Sequence, residues 1–184
     1  MFSVCTTGEL LVEIMRSGTN QPLDKIGQFT GPFPSGAPAI FIDAMSQWGA
    51  SAKLISAVGE DAFGDLCLQR MIADGVDITD VTRIPGFTTG MAFVNYKSDG
   101  AREFLFHAAH SALSQMKPQA DWEERCQSID LLHITGSSLL LHPAVADICL
   151  KMVAAVYSNL GPMEGIVSLA EVENFMKNHG REYK

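Results

Sequence analysis

The sequence has no hydrophobic run long enough to cross a membrane, since a spanning helix needs about 20 apolar residues in succession. Its first residues, 1–7, carry no basic segment like the one that opens a secretory signal. These two absences predict neither membrane insertion nor secretion, and they favour a cytoplasmic location.

Basic residues are few. The chain has 13 Lys and Arg against 21 Asp and Glu, a net charge of −8 and a pI near 5.0. Binding to nucleic acid or to an anionic membrane surface needs clustered positive charge to offset phosphate groups. We therefore exclude both as partners, although a phosphorylated small molecule can still bind at a local site.

Motifs for disulfides, metals and hydrolytic catalysis are also missing. The four cysteines, Cys5, Cys67, Cys126 and Cys149, show no CxxC spacing and lie among apolar residues, which favours buried, reduced thiols. His107 and His110 lack a third ligand at metal-binding spacing. No Gly-x-Ser-x-Gly elbow is present, so Ser137 and Ser138 are predicted to lie at a strand end and turn.

What remains is an ordinary globular composition. The 184 residues are 47% hydrophobic and 18% charged, which suits one domain with a substantial core. Residues 4–7 and 10–15 predict a strand or a bulged pair of strands, and residues 17–34, rich in Gly and Pro, predict a loop.

Strands and helices then alternate. We predict a helix over 39–48 with Pro38 in its first turn, a strand over 53–58, and a second helix that Asp61 caps and Gly75 ends. This strand-to-helix order is typical of a parallel sheet.

A hairpin interrupts the alternation. Two apolar, aromatic runs, 91–96 and 102–107, flank an Asp99-Gly100 turn. The continuous apolar run 129–134 follows, which predicts a strand covered on both faces, and residues 143–156 predict a helix. A capping box at 168–171 predicts a last helix in the tail.

Three segments together resemble a known family. The loop Ser35-Gly36-Ala37-Pro38-Ala39, the block 58–64 and the segment Gly75-Val76-Asp77 resemble the first signature of the PfkB, or ribokinase-like, carbohydrate kinases. The resemblance implies an α/β fold with three layers, a mostly parallel sheet and a projecting β-ribbon lid. Fructokinases and 2-keto-3-deoxygluconate kinases are the most similar members.

The resemblance also implies a sugar site. Glu13 occupies the position of an acidic residue that accepts hydrogen bonds from sugar hydroxyls, and a carboxylate suits a vicinal diol chemically. Gly36 and Ala37 occupy the loop in which small residues let the backbone approach the sugar. The chain departs from the family pattern at Ser35, where the family has Gly, and at Ile40, where it has Asn.

The hairpin, about 88–110, resembles the lid of these kinases. By that resemblance, Arg102, Phe106 and His107 are the lid residues expected to meet a sugar or sugar-acid substrate. In this family the lid often pairs with that of a second subunit, which implies a possible homodimer.

The family's second signature, Asp-Thr-x-Gly-Ala-Gly-Asp, does not occur in the chain. In the family it supplies the phosphate-binding amides and the catalytic base, so ATP and Mg²⁺ are expected for intact relatives and no residue here supports either. The resemblance divides the chain into 1–156, the N-terminal part of a kinase domain, and 157–184, a C-terminal segment joined across a missing middle.

The resulting expectation is an incomplete ribokinase-like fold. We predict a carbohydrate kinase by lineage that is inactive in this form, with a non-enzymatic sugar-binding or dimerising remnant as the alternative.

Overall fold

In a computed structural model of the protein, residues 2–117 and 129–159 are described, with the side chains of 156–159 excepted. The predicted helix at 168–176 and the segment 160–184 lie outside them. The described part is α/β. Its strands are Ser3–Thr7 (β1), Leu11–Arg16 (β2), Phe29–Ser35 (β3), Ser51–Gly59 (β4), Asp77–Ile84 (β5), Gly90–Tyr96 (β6), Arg102–His107 (β7) and Leu131–Ile134 (β8). Its helices are Ala37–Gln47 (α1), Ala62–Ala73 (α2), Gly136–Leu141 (α3) and Pro143–Asn159 (α4), with a 3₁₀ turn at Ala112–Gln115.

The central sheet is entirely parallel, in the order β5-β4-β1-β8. Side chains of β4 alternate between its faces, because successive residues of a strand point to opposite sides. Leu54 and Val58 pack with residues of α1 and α2, whereas Ile55 and Ala57 pack with residues of α4. Helices thus cover both faces, and the expected three-layer α/β architecture is confirmed.

The lid is larger than a hairpin. It is a second four-stranded sheet in the order β3-β2-β6-β7, in which β2 and β6 are parallel and the outer pairs are antiparallel. The predicted ribbon is confirmed as β6 and β7. The predicted loop over 17–34 is wrong in its last part, which forms β3. Pro32 and Pro34 are tolerated there because β3 lies at the edge of the lid sheet among the described strands.

Three other elements differ from expectation. The runs 4–7 and 10–15 form strands of two different sheets, separated at Gly8, whose φ is 146°. Residues 77–84 form β5, which the sequence pattern did not indicate. Strand β8 begins at Leu131, which is 39% exposed, and its other three residues are half-buried, so the expected cover of this strand is partial within the described residues.

The described cysteines agree with the sequence. Cys5, Cys67 and Cys149 are buried, and Cys67 and Cys149 are free thiols. Burial raises the pKa of the Cys149 thiol to about 12, and the nearby Glu9 carboxylate acts in the same direction. A thiol with so high a pKa stays protonated at neutral pH and is a poor nucleophile. No helix in the described ranges has both the length and the apolar character that a bilayer crossing requires.

Candidate active site

A cleft of about 530 Å³ opens where the central sheet meets the lid sheet. It lies beyond the carboxyl ends of β1 and β8, the edge at which open α/β sheets bind ligands. The cleft is lined by Glu9, Leu11, Glu13, Ser35, Gly36, Ala37, Ile40, Ala92, Arg102, Phe104, Phe106, Ser137, Leu140 and Leu141. Five of the six residues predicted from the sequence as substrate-binding are therefore brought together here.

Strand register places Glu13 on the cleft side of the lid. Glu13 of β2 pairs with Ala92 of β6, and Ala92 pairs with Phe106 of β7. Cross-strand partners share one face of a sheet, so the small Ala92 leaves space between the carboxylate and the aromatic ring. The Ser35 hydroxyl donates a hydrogen bond of 2.9 Å to Oε2 of Glu13 and orients the carboxylate.

The loop before α1 approaches the cleft through its backbone. Gly36 caps α1 with φ at 116°, a conformation that favours glycine. A Cβ at this position would lie 2.2 Å from the backbone oxygen of Glu9. Ala37 follows as the first residue of α1, and Pro38 in the first turn is buried. Only glycine fits at position 36, which keeps the chain close to the cleft floor.

The outer wall comes from β7. Arg102, Phe104 and Phe106 alternate along the strand and so face the cleft together. The rings of Phe104 and Phe106 are stacked with centroids 5.2 Å apart, and the Arg102 guanidinium lies 5.5 Å from the Phe104 ring centroid. All three residues are exposed, so this wall combines a cation with open aromatic surface.

His107 is the predicted residue that the structure places elsewhere. It follows Phe106 in the strand, so its ring lies on the opposite face of the lid, where it meets Phe93 edge-on at 6.0 Å. Strand alternation is the physical reason, because adjacent residues of β7 cannot both face the cleft.

Glu9 was not selected from the sequence, yet it lies at the floor of the cleft. It is only 5% exposed. Its two carboxylate oxygens accept hydrogen bonds of 2.7 Å from the hydroxyls of Ser137 and Ser138. Both serines belong to the first turn of α3, so the predicted turn at these positions is wrong. Thr135, whose side chain accepts from the Ser138 amide, caps this helix instead.

A signal for Glu9 does exist in the sequence. Glu9 follows β1 and the serines follow β8, and parallel neighbours bring the residues after their carboxyl ends to one edge. Gly8 allows this approach, since a Cβ there would lie 2.0 Å from Oγ of Ser138. The sequence alone does not show that β1 and β8 are adjacent, so it does not reveal that Glu9 lies beside Ser137 and Ser138.

Asp61 joins the central layers to the lid. Its carboxylate accepts from the amide of Gly64 at the start of α2, and from the amide and hydroxyl of Thr89, which immediately precedes β6. Burial raises the pKa of Asp61, but these hydrogen bonds outweigh it and hold the pKa below its ordinary value. The ionised carboxylate thus fixes the base of the lid.

The arrangement supplies hydrogen-bond acceptors at Glu13, a cation at Arg102 and aromatic faces, a set that suits a polyhydroxylated ligand with or without an acid group. Within residues 2–117 and 129–159, no group of three His, Cys, Asp or Glu side chains is placed to hold a metal ion.

Solved structures of similar shape are carbohydrate kinases. An E. coli protein provisionally named ribokinase II has a TM-score of 0.80 and 39% identity over 97% of this chain, which corresponds to 58% of that protein. The same protein has been solved in complex with ATP and Mg²⁺. A fructokinase of Halothermothrix orenii has a TM-score of 0.77 at 17% identity and shares the fold, over 96% of this chain and 66% of its own.

Curated relatives carry related names. Probable fructokinase-3 of Arabidopsis thaliana is 30% identical over 76% of this chain and 40% of its own length. The 2-dehydro-3-deoxygluconokinase of Thermoproteus tenax is 31% identical over 77% of this chain and 43% of its own. The chain thus spans less than half the length of these two relatives.

The family model described as pfkB family carbohydrate kinase matches residues 1–179. That match covers nearly the whole sequence and agrees with the three-layer fold, the lid and the position of the cleft. The chain therefore belongs to the PfkB family of carbohydrate kinases.

Proposed function

We propose that this chain is the sugar-binding part of a carbohydrate kinase and that, in this 184-residue form, it binds a sugar or sugar acid without phosphorylating it. The observation that supports the proposal is the convergence of Glu13, the Gly36-Ala37 loop and the Arg102 and Phe106 side chains on one cleft. These groups come from three separate elements of the chain.

Each group has a distinct role in the proposed binding. Glu13, oriented by Ser35, accepts hydrogen bonds from neighbouring hydroxyls of the ligand. Gly36 and Ala37 let the ligand lie against the backbone. Phe104 and Phe106 cover the apolar face of the sugar and exclude water, and Arg102 donates to an acid group or a hydroxyl.

Phosphoryl transfer needs further parts. A base must take the proton of the attacking hydroxyl, and amides or cations must stabilise charge on the transferred phosphoryl group. The cleft contains carboxylates and one cation, but the second family signature, which in the family supplies the catalytic base and the phosphate-binding amides, is absent from the sequence. The ATP and Mg²⁺ bound by the E. coli relative are accordingly expected only for intact kinases.

The test separates binding from turnover. Fructose and 2-dehydro-3-deoxygluconate are titrated into the purified chain by calorimetry, and sugar-dependent ATP turnover is measured alongside. We expect weak binding of at least one sugar, loss of that binding in Glu13→Ala, and no turnover. Glu60→Ala, a carboxylate removed from an exposed turn outside the cleft, is the matched control and should bind as the unmodified chain does.

Robust turnover that Glu13→Ala removes would show that the chain holds a catalytic group of its own. Absence of binding for every sugar would contradict the sugar-site proposal. Fusion to the remaining segment of an intact relative should restore turnover if the chain lacks only that segment.

A non-enzymatic dimer is the second candidate, and an observation on β7 favours it. Phe104, Leu105 and Phe106 are between 39% and 56% exposed on a strand at the edge of the lid sheet as described. Exposed edges with apolar side chains favour pairing with another strand, here the lid of a second copy. Light scattering should show a dimer that Leu105→Lys converts to monomer, and a monomeric unmodified chain would rule this candidate out.

We also propose a cytoplasmic location, because the buried and reduced state of Cys67 and Cys149 suits a reducing compartment.

A further inference from the structure

Arg16 is a buried cation on the side of the lid that faces away from the cleft. Ala92 lines the cleft, and the next residue, Phe93, contacts Phe29 on the other face with ring centroids 5.6 Å apart. The Arg16 guanidinium stacks 4.2 Å from the Phe29 ring centroid on that face. Arg16 is only 6% exposed, although it ends a strand of the lid.

The hydrogen bonds of this guanidinium are incomplete. Nη2 donates to the backbone oxygens of Pro22, at 2.6 Å, and Lys25. Nε and Nη1 are buried and have no hydrogen-bond partner within the described part of the chain. Arg16 also forms no ion pair with a carboxylate there, and the nearby Asp24 pairs with Lys25 instead.

A buried guanidinium with unpaired nitrogens lowers the stability of the fold. A buried charge without a partner destabilises a fold, which is why buried guanidinium groups are normally paired with carboxylates or phosphates. Stacking on Phe29 offsets only part of that cost. An unsatisfied buried donor in a native protein calls for a partner such as an ion.

A cavity of about 570 Å³ adjoins this residue. Its lining supplies a second cation, Lys25, and several polar side chains. The residues that line it are Arg16, Ser17, Asn20, Gln21, Pro22, Lys25, Ile26, Gly27 and Gln28. Gly27 leaves room beside the guanidinium, since a Cβ there would lie 2.5 Å from Nη1.

The loop that forms the cavity is fixed to the lid. The backbone amide of Asn20 donates to the backbone oxygen of Tyr96 at 2.8 Å, and the backbone amide of Gln21 donates to Oδ1 of Asn95 at 3.0 Å. The Ser98 amide in turn donates to Oδ1 of Asn20. These contacts anchor the first part of the loop, while Gly27 in its last part lies beside Nη1.

We propose that Arg16 and the loop 17–28 form a binding site for a small oxyanion, a phosphate or carboxylate group, separate from the sugar cleft. Nε and Nη1 are two N–H donors without a partner, and an anion that accepts from either of them forms a charge-assisted hydrogen bond. Lys25, which lies 3.5 Å from Asp24, adds a second cation at the cavity. Because Nε and Nη1 are buried, binding of the anion requires the Lys25–Gly27 segment to move. The anion neutralises the buried charge and holds the loop against the lid.

The test uses inorganic phosphate and acetate, with chloride at equal ionic strength as the reference. Binding is followed by calorimetry and by hydrogen exchange of the loop amides. Phosphate should bind, slow exchange over 17–28 and bind at least roughly tenfold more weakly in Arg16→Met. Acetate in place of phosphate as the stronger ligand would identify a carboxylate as the group recognised.

Two further variants guard against a folding defect. Gly27→Ala keeps the guanidinium but fills the space beside Nη1, so it should weaken phosphate binding in a folded protein. Lys97→Met removes an exposed cation from the same lid outside the cavity and should leave binding unchanged. The proposal is overturned if neither anion binds at millimolar concentration, if Gly27→Ala has no effect, or if Lys97→Met weakens binding as much as Arg16→Met.

Discussion

The central sheet and the lid sheet each have four strands in the described residues, yet they are stabilised in different ways. In β4 of the central sheet, every residue from Leu54 to Gly59 is buried, whereas all six residues of β7 in the lid are exposed. Apolar burial dominates the first, because its strands lie between two helical layers. Strand β7, by contrast, is attached through its pairing with β6 and carries exposed ring contacts, so burial contributes little at this edge of the lid.

The largest expected difference is in the cost of truncating an apolar side chain. Leu54→Ala removes a fully buried side chain from the core between the central sheet and its helices. It should lower the free energy of unfolding by about 3 kcal/mol, because it leaves a cavity. Leu105→Ala, at a 49% exposed position in the lid, should cost about 0.5 kcal/mol. Urea unfolding measures both, and equal losses would contradict the comparison.

Substitution of glycine should be costly at the junction and mild at the lid tip. Gly36→Ala combines a left-handed backbone with a clash against the Glu9 oxygen, so it should destabilise the protein by about 3 kcal/mol and abolish sugar binding. Gly100→Ala is the matched control, with φ at 84° and no atom within 4 Å of the new Cβ, and should cost about 1 kcal/mol. Equal stability of the two variants would show that position 36 does not require glycine more than position 100 does.

Sequence patterns predicted the central sheet better than the lid for the same physical reason. Continuous burial produces the apolar run of β4 and the 3.6-residue period of α1, both of which are visible without a structure. Strand β3 contains Pro32, Pro34 and a glycine, and only its pairing with β2 makes it a strand. Strand β5 is the exception within the central sheet, because charged residues such as Asp77 and Asp80 lie within it and weaken its apolar pattern.

The residues of the cleft also divide into those that the sequence predicts and those that only the folded structure reveals. Glu13, Gly36 and Arg102 lie in local motifs or in a hairpin whose register the sequence indicates. Glu9 acquires its role only through Ser137 and Ser138, which lie 128 and 129 residues further along the chain. His107 shows the converse limit, since a motif gives its position in the lid, and strand alternation decides the face on which it lies.

A double-mutant cycle sharpens the contrast between buried and exposed polar contacts. Glu9→Gln replaces one acceptor oxygen by an NH₂ group, which cannot accept a hydrogen bond from a serine hydroxyl. Because the group is buried, this variant should lower the free energy of unfolding by about 2 kcal/mol. Ser138→Ala removes the donor. Unfolding free energies of the two single variants and the double variant should show a coupling of about 1 kcal/mol. Additive losses would mean that the contact does not hold α3 against β1.

The smallest expected effect concerns Asp61, which links the two sheets, and it depends on pH. Because the pKa of Asp61 in the folded protein lies below its ordinary value of 3.8, its contribution is fully present above that pH and is lost as the pH falls through the folded pKa. Asp61→Asn keeps an acceptor for the Gly64 amide but loses the ionised oxygen that accepts from the Thr89 amide. It should lower the free energy of unfolding by about 1 kcal/mol at neutral pH, as loss of a helix cap does.

Well below pH 3.8 the unmodified chain and Asp61→Asn should become nearly equal in stability. Asp99→Asn at the lid tip, whose carboxylate accepts only from the Ala101 amide among the contacts described, is the control and should cost less than Asp61→Asn at neutral pH. A pH-independent gap for Asp61→Asn would mean that shape, and not charge, fixes the lid to the central layers.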